Sequence, residues 1–420
     1  MASSPNKRMK VEDGVQVADN LIDGEFVGPI SKEYVDVISP VTGEVIGSCA
    51  VSTSQDVDVA VAKGQEAFKE WSKLTVKSRT AIMLKFHALM NEHADELADI
   101  VVKENGKNKM EALASVLKAG VPKGVFQTIN GKAEAVTSLC DHPKVAAVTF
   151  VGSSHVAQLV ARRCRAQDKR VLALGGAKNH LVALPDADNE MAAKDIVASY
   201  AGCAGQRCMA ASVLLLVGEC DELLNLIVEK SKQLKRGTEA GQVGAVIDHV
   251  SKDRILKYIN EAEQSGVKVL VDGRSWANEA KGSWVGPTVL LHTNPNDAAM
   301  KDEIFGPVLS IYKVKSFDEA LEIENGNDYG NAASIYTSNG GYAEYFQSRF
   351  RAGMIGVNIG IPVPREPFSF GGMYGTKSKY GDMDITGDGC VEFFSNRRKI
   401  TSKWSTVINA ADKANFSGQI

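Results

Sequence analysis

No apolar run in these 420 residues approaches the ~20 residues that a membrane-spanning helix needs, so no membrane span is expected. There is no basic excess either. The net charge is -3 and the pI about 6.2, which argues against nucleic acid as a partner. Seven cysteines, an odd number scattered along the chain, do not make a disulfide framework, and a reducing compartment follows. The GxGxxG fingerprint of dinucleotide-binding turns is missing, as are internal repeats and low-complexity tracts. The opening stretch, MASSPNKRMKVEDGVQ, lacks the apolar core of a secretory signal. Its basic cluster, Lys7 to Lys10, meets Glu12 and Asp13, whereas a mitochondrial presequence is poor in acids. The expectation is a solvated, disordered tail over residues 1–18, which does not choose between mitochondrial matrix and cytoplasm.

What is present is strong periodicity. NLIDGEFVG (Asn20 to Gly28) and YVDVISPVTGEVIGSCAV (Tyr34 to Val51) read as strands around turns. From Ser54 to Lys103 the apolar spacing becomes helical, with Phe68, Trp71, Met83, Phe86 and Met90 expected in the core. Beyond the AGVPKGVF turn, strand-like stretches (VFQTI, KVAAVTFVG, KRVLALGG, LVAL, ASVLLLVG) alternate with helical ones (KAEAVTSLCDHP, SSHVAQLVARRCRAQ, DADNEMAAKDIVASYAG). The same alternation continues to MIGVNIG. It predicts an α/β fold with a mostly parallel sheet and helices on its faces. Pro362 to Gly389 is a Gly-rich loop of about thirty residues, and loops of that length in a compact domain are usually functional. The tail CVEFFSNRRKITSKW (Cys390 to Trp404) alternates like a strand.

The stretch YAGCAGQRCMAAS (Tyr200 to Ser212) holds two cysteines. Cys208 lies at a turn between a helix and a buried strand. Arg207 beside it supplies a cation that favours the thiolate, and Gly202, Ala204 and Gly205 leave room for a substrate. Cys203 has no cationic neighbour and reads as a packed thiol. Taken alone, Cys208 reads first as a buried structural cysteine.

The surrounding motifs change that balance. ISPVTGEVIG, AGVPKGVF with Gly131 following, FVGSSHV, GGAKNH, AGQRCMA, DEIFGPVLSI and GVNIGIPVP followed by FSFGG resemble the aldehyde dehydrogenase superfamily in order. GAKNH with QRCMA resembles most closely its methylmalonate-semialdehyde dehydrogenase branch. The resemblance runs from about Asn20 to Trp404. It implies a dinucleotide-binding domain over 19–176, a catalytic domain over 177–388, and an oligomerisation strand and tail over 389–420, in a homo-oligomer (dimer or tetramer). It implies that Cys208 attacks an aldehyde carbon and that NAD takes the hydride, leaving a thioester, with the Cys208 backbone N–H on the oxyanion. Gly152 and Ser153 would face the cofactor at a helix start. Gly175 belongs to the same cofactor-side Gly-Gly pair. Glu303 would hold the nicotinamide ribose, with Phe305 flanking the ring. Ala173 stands where hydrolytic members carry the glutamate that activates water, so the resemblance implies coenzyme A as acyl acceptor. Arg207 becomes the clamp for the carboxylate of a malonate or methylmalonate semialdehyde, with loss of carbon dioxide to acetyl-CoA or propionyl-CoA, as in valine and thymine breakdown.

One departure stands out. The family carries a further segment between the helix ending near Glu111 and the AGVP turn, including two strands of the dinucleotide sheet, the PFNFP asparagine of the oxyanion hole and the KPSE lysine of the adenosine ribose. Here the chain steps from about Val116 to Ala119. The expectation is therefore an incomplete dinucleotide domain with impaired activity, and its alternatives are an inactive subunit assembling with full-length partners or a hydrolytic aldehyde dehydrogenase.

Overall fold

The computed structural model describes residues 10–12, 15–106, 122–279, 281–364, 368–384, 386–402 and 404. The unbroken apolar run ASVLLLV becomes strand Ala211–Val217 at the centre of a seven-stranded sheet. Such runs suit strands buried on both faces. Here Leu214 and Leu216 enter one core cluster, while Val213, Leu215 and Val217 enter another. The strand order is Lys268–Val271, Thr288–His292, Val308–Val314, Ala211–Val217, Asn179–Ala183, Ala332–Tyr336, Met354–Val357. Every neighbouring pair is parallel except the first.

Helices Asn189–Ala201, Asp221–Gln233 and His249–Gln264 bury Ile196, Leu223, Ile227, Ile255 and Ile259 on one face. Phe317–Asn325 and Gly340–Gln347 bury Leu321 and Phe346 on the other. Their starts are where short polar side chains predict them. Asp188 accepts from the Met191 N–H, and Ser316 from the Glu319 N–H.

A smaller sheet carries Lys379–Tyr380, Arg170–Leu174 and Ala147–Val151 in that order. Helices Ala133–Asp141 and Ser154–Arg165 cover one face through Cys140, Val160, Ala161 and Cys164. Leu172 and Leu174 meet Phe393 on the other. Among the described residues, Ala147–Val151 pairs along one edge only, and Val151 is 61% exposed. The N-terminal part holds a four-stranded sheet, a hairpin of Asn20–Ile22 with Glu25–Val27, and helices Ser54–Trp71, Val76–Glu92 and Ala94–Asn105. No helix of the described residues is long and apolar enough to cross a membrane.

Four expectations differ from the structure. Within the expected tail, Lys10–Glu12 and Val15–Ala18 are strands, the second held in parallel by Val45–Ala50. VFQTI keeps only an isolated bridge between Thr128 and Leu21, because a strand needs a continuous partner edge. Helix Val76–Glu92 has no buried residue. Phe68 and Met83 are exposed, and Trp71, Phe86 and Met90 are half-buried, since amphipathic spacing marks an apolar face without supplying what covers it. Finally, Gly387–Phe393 is a helix where the alternating tail predicts a strand. Phe393 is its buried residue, packing on the small sheet. The expected junction between Val116 and Ala119 falls outside the described residues.

Candidate active site

Helix Asn189–Ala201 ends in a tight turn, Gly202–Gly205, where Cys203, Ala204 and Gly205 all have positive φ (50°, 52° and 69°). Two of these carry side chains, and strain of this kind persists only where surroundings impose it. The surroundings are the loop at Gly306. A Cβ on Gly205 would lie 2.0 Å from the Gly306 carbonyl oxygen, so a glycine is needed for both conformation and contact. Across that contact Phe305 also has a positive φ of 53°. Cys203 is buried.

Cys208 follows, half-buried and packed against the main core. Its carbonyl accepts hydrogen bonds from Asn179 Nδ2 and Asn331 Nδ2, both at 2.8 Å. Burial raises the Cys208 thiol above the usual range, and the Glu303 carboxylate adds to this. The backbone N–H groups of Cys208 and Met209, and Arg207, act the other way. Arg207 donates from Nη2 to the Ala198 carbonyl at 3.2 Å, while its buried Nε has no hydrogen-bond partner. With Asn179, Glu303 and Phe305 it lines a narrow recess.

Glu303 is held against the Gly-Gly pair. Its Oε1 accepts from the Ala177 N–H at 2.9 Å, and a Cβ on Gly176 would fall 2.0 Å from Oε2. Burial raises its carboxyl, opposed by that N–H, Lys178 and Arg254. Gly175 is equally tight, its missing Cβ directed at the Lys377 carbonyl 2.2 Å away. The neighbouring turn brings Gly152 and Ser153 close. The Gly152 N–H donates to the Leu174 carbonyl, and Ser153 is the first-turn cap residue of Ser154–Arg165, without a side-chain cap bond. Ser154 makes the contacts instead. It donates to the Lys377 carbonyl at 2.7 Å and accepts from the Gly176 N–H at 2.9 Å.

Sequence reasoning passed over Ser154, Asn179, Asn331 and Lys178. Lys178 is fully buried, donates to the Ala299 carbonyl at 2.8 Å, and has its ammonium pushed down to about 7 by burial. The polar run Lys178, Asn179, His180 inside the otherwise apolar LGGAKNHLVA was the available signal for two of them.

Ala173 faces Cys140, Val160 and Cys164. Its neighbour Leu174 lies on the opposite face of the small sheet with Phe370, which also packs against the main core that Cys208 borders. Both positions are apolar, so neither supplies a water-activating carboxylate.

The family model described as the aldehyde dehydrogenase family matches residues 26–119 and 111–400. This chain belongs to the aldehyde dehydrogenase family. Its members are oxidoreductases acting on aldehydes. Malonate-semialdehyde dehydrogenase 1 of Geobacillus thermodenitrificans (strain NG80-2) is 34% identical over 483 positions, covering 93% of this chain and 99% of the relative. Among solved structures, a putative methylmalonate-semialdehyde dehydrogenase from Sinorhizobium meliloti 1021 complexed with NAD superposes with a TM-score of 0.90 at 28% identity, over 94% of this chain and 100% of that one. Methylmalonate-semialdehyde dehydrogenase from Oceanimonas doudoroffii gives 0.89 at 28% identity, over 93% and 99%. As an aldehyde dehydrogenase, the chain has its two α/β sheets meeting where the Gly175–Gly176 pair, Glu303 and the Cys208 loop converge.

Proposed function

We propose that this aldehyde dehydrogenase oxidises a small semialdehyde of the malonate or methylmalonate type, with NAD as oxidant and coenzyme A as acyl acceptor. The observation that carries the reading is the half-buried Cys208 thiol next to Arg207 and near Glu303, where the backbone N–H groups of Cys208 and Met209 oppose the upward push of burial. The Cys208 thiolate adds to the aldehyde carbon to give a thiohemiacetal. Arg207, whose buried Nε has no partner, holds the substrate carboxylate through its planar fork. NAD, when bound, accepts the hydride. The acyl group then remains on Cys208 as a thioester, loses its carboxylate as carbon dioxide, and passes to coenzyme A as an acetyl or propionyl group.

The nicotinamide end fits the residues present. Gly176 lets Glu303 come close to the backbone, and Glu303, held there through Oε1 by the Ala177 N–H, offers Oε2 as an acceptor for ribose hydroxyls. Apolar Ala173 and Leu174 favour a thiol over water as the acceptor, because a thiol needs no carboxylate to attack a thioester at neutral pH. The relatives named for semialdehydes, and the relative complexed with NAD, support the same choice. The compartment is matrix or cytoplasm, and the assembly a homo-oligomer.

A second reading is favoured by the sheet edge at Ala147–Val151, unpaired among the described residues, and by helix Val76–Glu92, which has no buried residue. In the 483-position alignment, 93% of the 420-residue chain accounts for about 390 positions, so about ninety have no counterpart here. In this reading the chain is an inactive subunit that assembles with a full-length homologue. Purified chain, malonate semialdehyde, NAD and coenzyme A distinguish the two. NADH formation that requires coenzyme A, with acetyl-CoA as product, supports the first. Free acid formed without coenzyme A overturns the acyl-transfer assignment. Co-purification with the homologue, with no NAD binding by calorimetry, supports the second.

A further inference from the structure

The carbonyl of Cys208 is bound twice. Asn179 Nδ2 and Asn331 Nδ2 each lie 2.8 Å from it. Neither asparagine is free to turn. Asn179 Nδ2 also reaches the Ala210 carbonyl at 2.7 Å, and its Oδ1 accepts from the Ala332 N–H at 3.2 Å. Asn331 Nδ2 also meets Met209 Sδ at 3.1 Å. Both residues are buried and sit at strand starts, Asn179 on Asn179–Ala183 and Asn331 just before Ala332–Tyr336. The clamp therefore ties the Cys208 turn to two strands of the large sheet.

The held carbonyl shares its peptide plane with the Met209 N–H, one of the two backbone donors that favour the Cys208 thiolate. A peptide unit is rigid, so fixing its oxygen fixes the direction of its N–H. Two donors on the oxygen also polarise the unit and strengthen the bond the N–H makes.

We infer that Asn179 and Asn331 are positioning residues, which aim the Met209 N–H at Cys208 Sγ and so keep the nucleophile reactive. The inference rests on the proposed role of Cys208 as nucleophile and adds how its thiolate is supported. Asn331 is the residue to change, because among the described residues its side-chain amide donates to the turn alone.

The test is the pH dependence of Cys208 alkylation by iodoacetamide in the full chain, read by peptide mass spectrometry, for wild type, Asn331→Leu and Asn331→Ala. Circular dichroism confirms folding. Asn331→Ala removes both donor hydrogens without adding charge or bulk, so it serves if the leucine variant fails to fold. A loss of thiolate support of one pH unit lowers the thiolate fraction about tenfold, while the more basic thiolate is about threefold more nucleophilic. The expected result is an upward-shifted alkylation midpoint and a rate near neutral pH about threefold lower. A folded variant whose midpoint matches wild type overturns the clamp while leaving the nucleophile in place. A wild-type Cys208 no faster than buried Cys203 overturns both the clamp and the proposed function. No NAD or aldehyde enters the assay, so the two failures remain distinct.

Discussion

Replacing Gly205 by alanine tests the contact on which the site is built. Two costs act there. Alanine at φ +69° sits in the left-handed region, at about 1–2 kcal/mol. Its Cβ would also lie 2.0 Å from the Gly306 oxygen and 2.3 Å from the Gly306 carbon. Both are backbone atoms, so no side chain can swing away and the two loops must part by more than an ångström. Overpacking of this kind costs about 1–3 kcal/mol. Together the loss is about 2–5 kcal/mol, or about 2–6 °C in the unfolding midpoint of a chain of 420 residues. Gly241 supplies the control. Its φ is +80° and nothing lies within 4 Å of its missing Cβ, so Gly241→Ala carries the conformational cost alone. Thermal circular dichroism should rank Gly205→Ala below Gly241→Ala, and both below wild type. Cys208, three residues on, should also lose alkylation rate in Gly205→Ala only. Equal midpoints for the two variants would refute the close approach of the Gly205 and Gly306 backbones.

Two further outcomes follow from the charges around the site. Glu303→Gln removes the carboxylate that opposes ionisation of Cys208, so the thiol titrates lower and alkylation near neutral pH speeds up; an unchanged or raised midpoint contradicts the proximity. Lys178 has a folded value of about 7 against about 10.4 when unfolded. The unfolded chain therefore binds the extra proton between those values, and this group makes the protein more stable as pH rises through that window. Below pH 7 the buried charge is a full penalty. Lys178→Met removes it, so the midpoint difference, variant minus wild type, should fall between pH 7 and pH 10. A difference that stays flat across this range counts against a displaced ammonium.

The large sheet was legible because its strands are runs such as ASVLLLV and NHLVA, short, apolar and bounded by turns. The helix starts at Asp188 and Ser316 were legible for an equally local reason, a short polar side chain satisfying a free N–H. Where the outcome depended on a distant partner, local pattern failed. Helix Val76–Glu92 has the right spacing and no cover, and the residues after Cys390 alternate yet begin in a helix. The site divides the same way. Cys208, Arg207 and Glu303 announce themselves by chemical type and surrounding motif. Asn179 and Asn331 matter through a carbonyl in another part of the chain, and no spacing rule connects positions 179, 208 and 331. Ser154 was missed by one residue, because the turn directs the second serine, and not the first, at Gly176.

The uneven covering of the two sheets also governs where the molecule opens. Backbone amides in Ala211–Val217 lie between two cores and exchange their hydrogens only when most of the fold is lost. Those in Ala147–Val151, paired along one edge among the described residues, and in Val76–Glu92, with no buried side chain, are expected to exchange through small local openings. Limited proteolysis is expected to start at the same places, and anything that settles against them, cofactor or companion subunit, slows both without touching the large core.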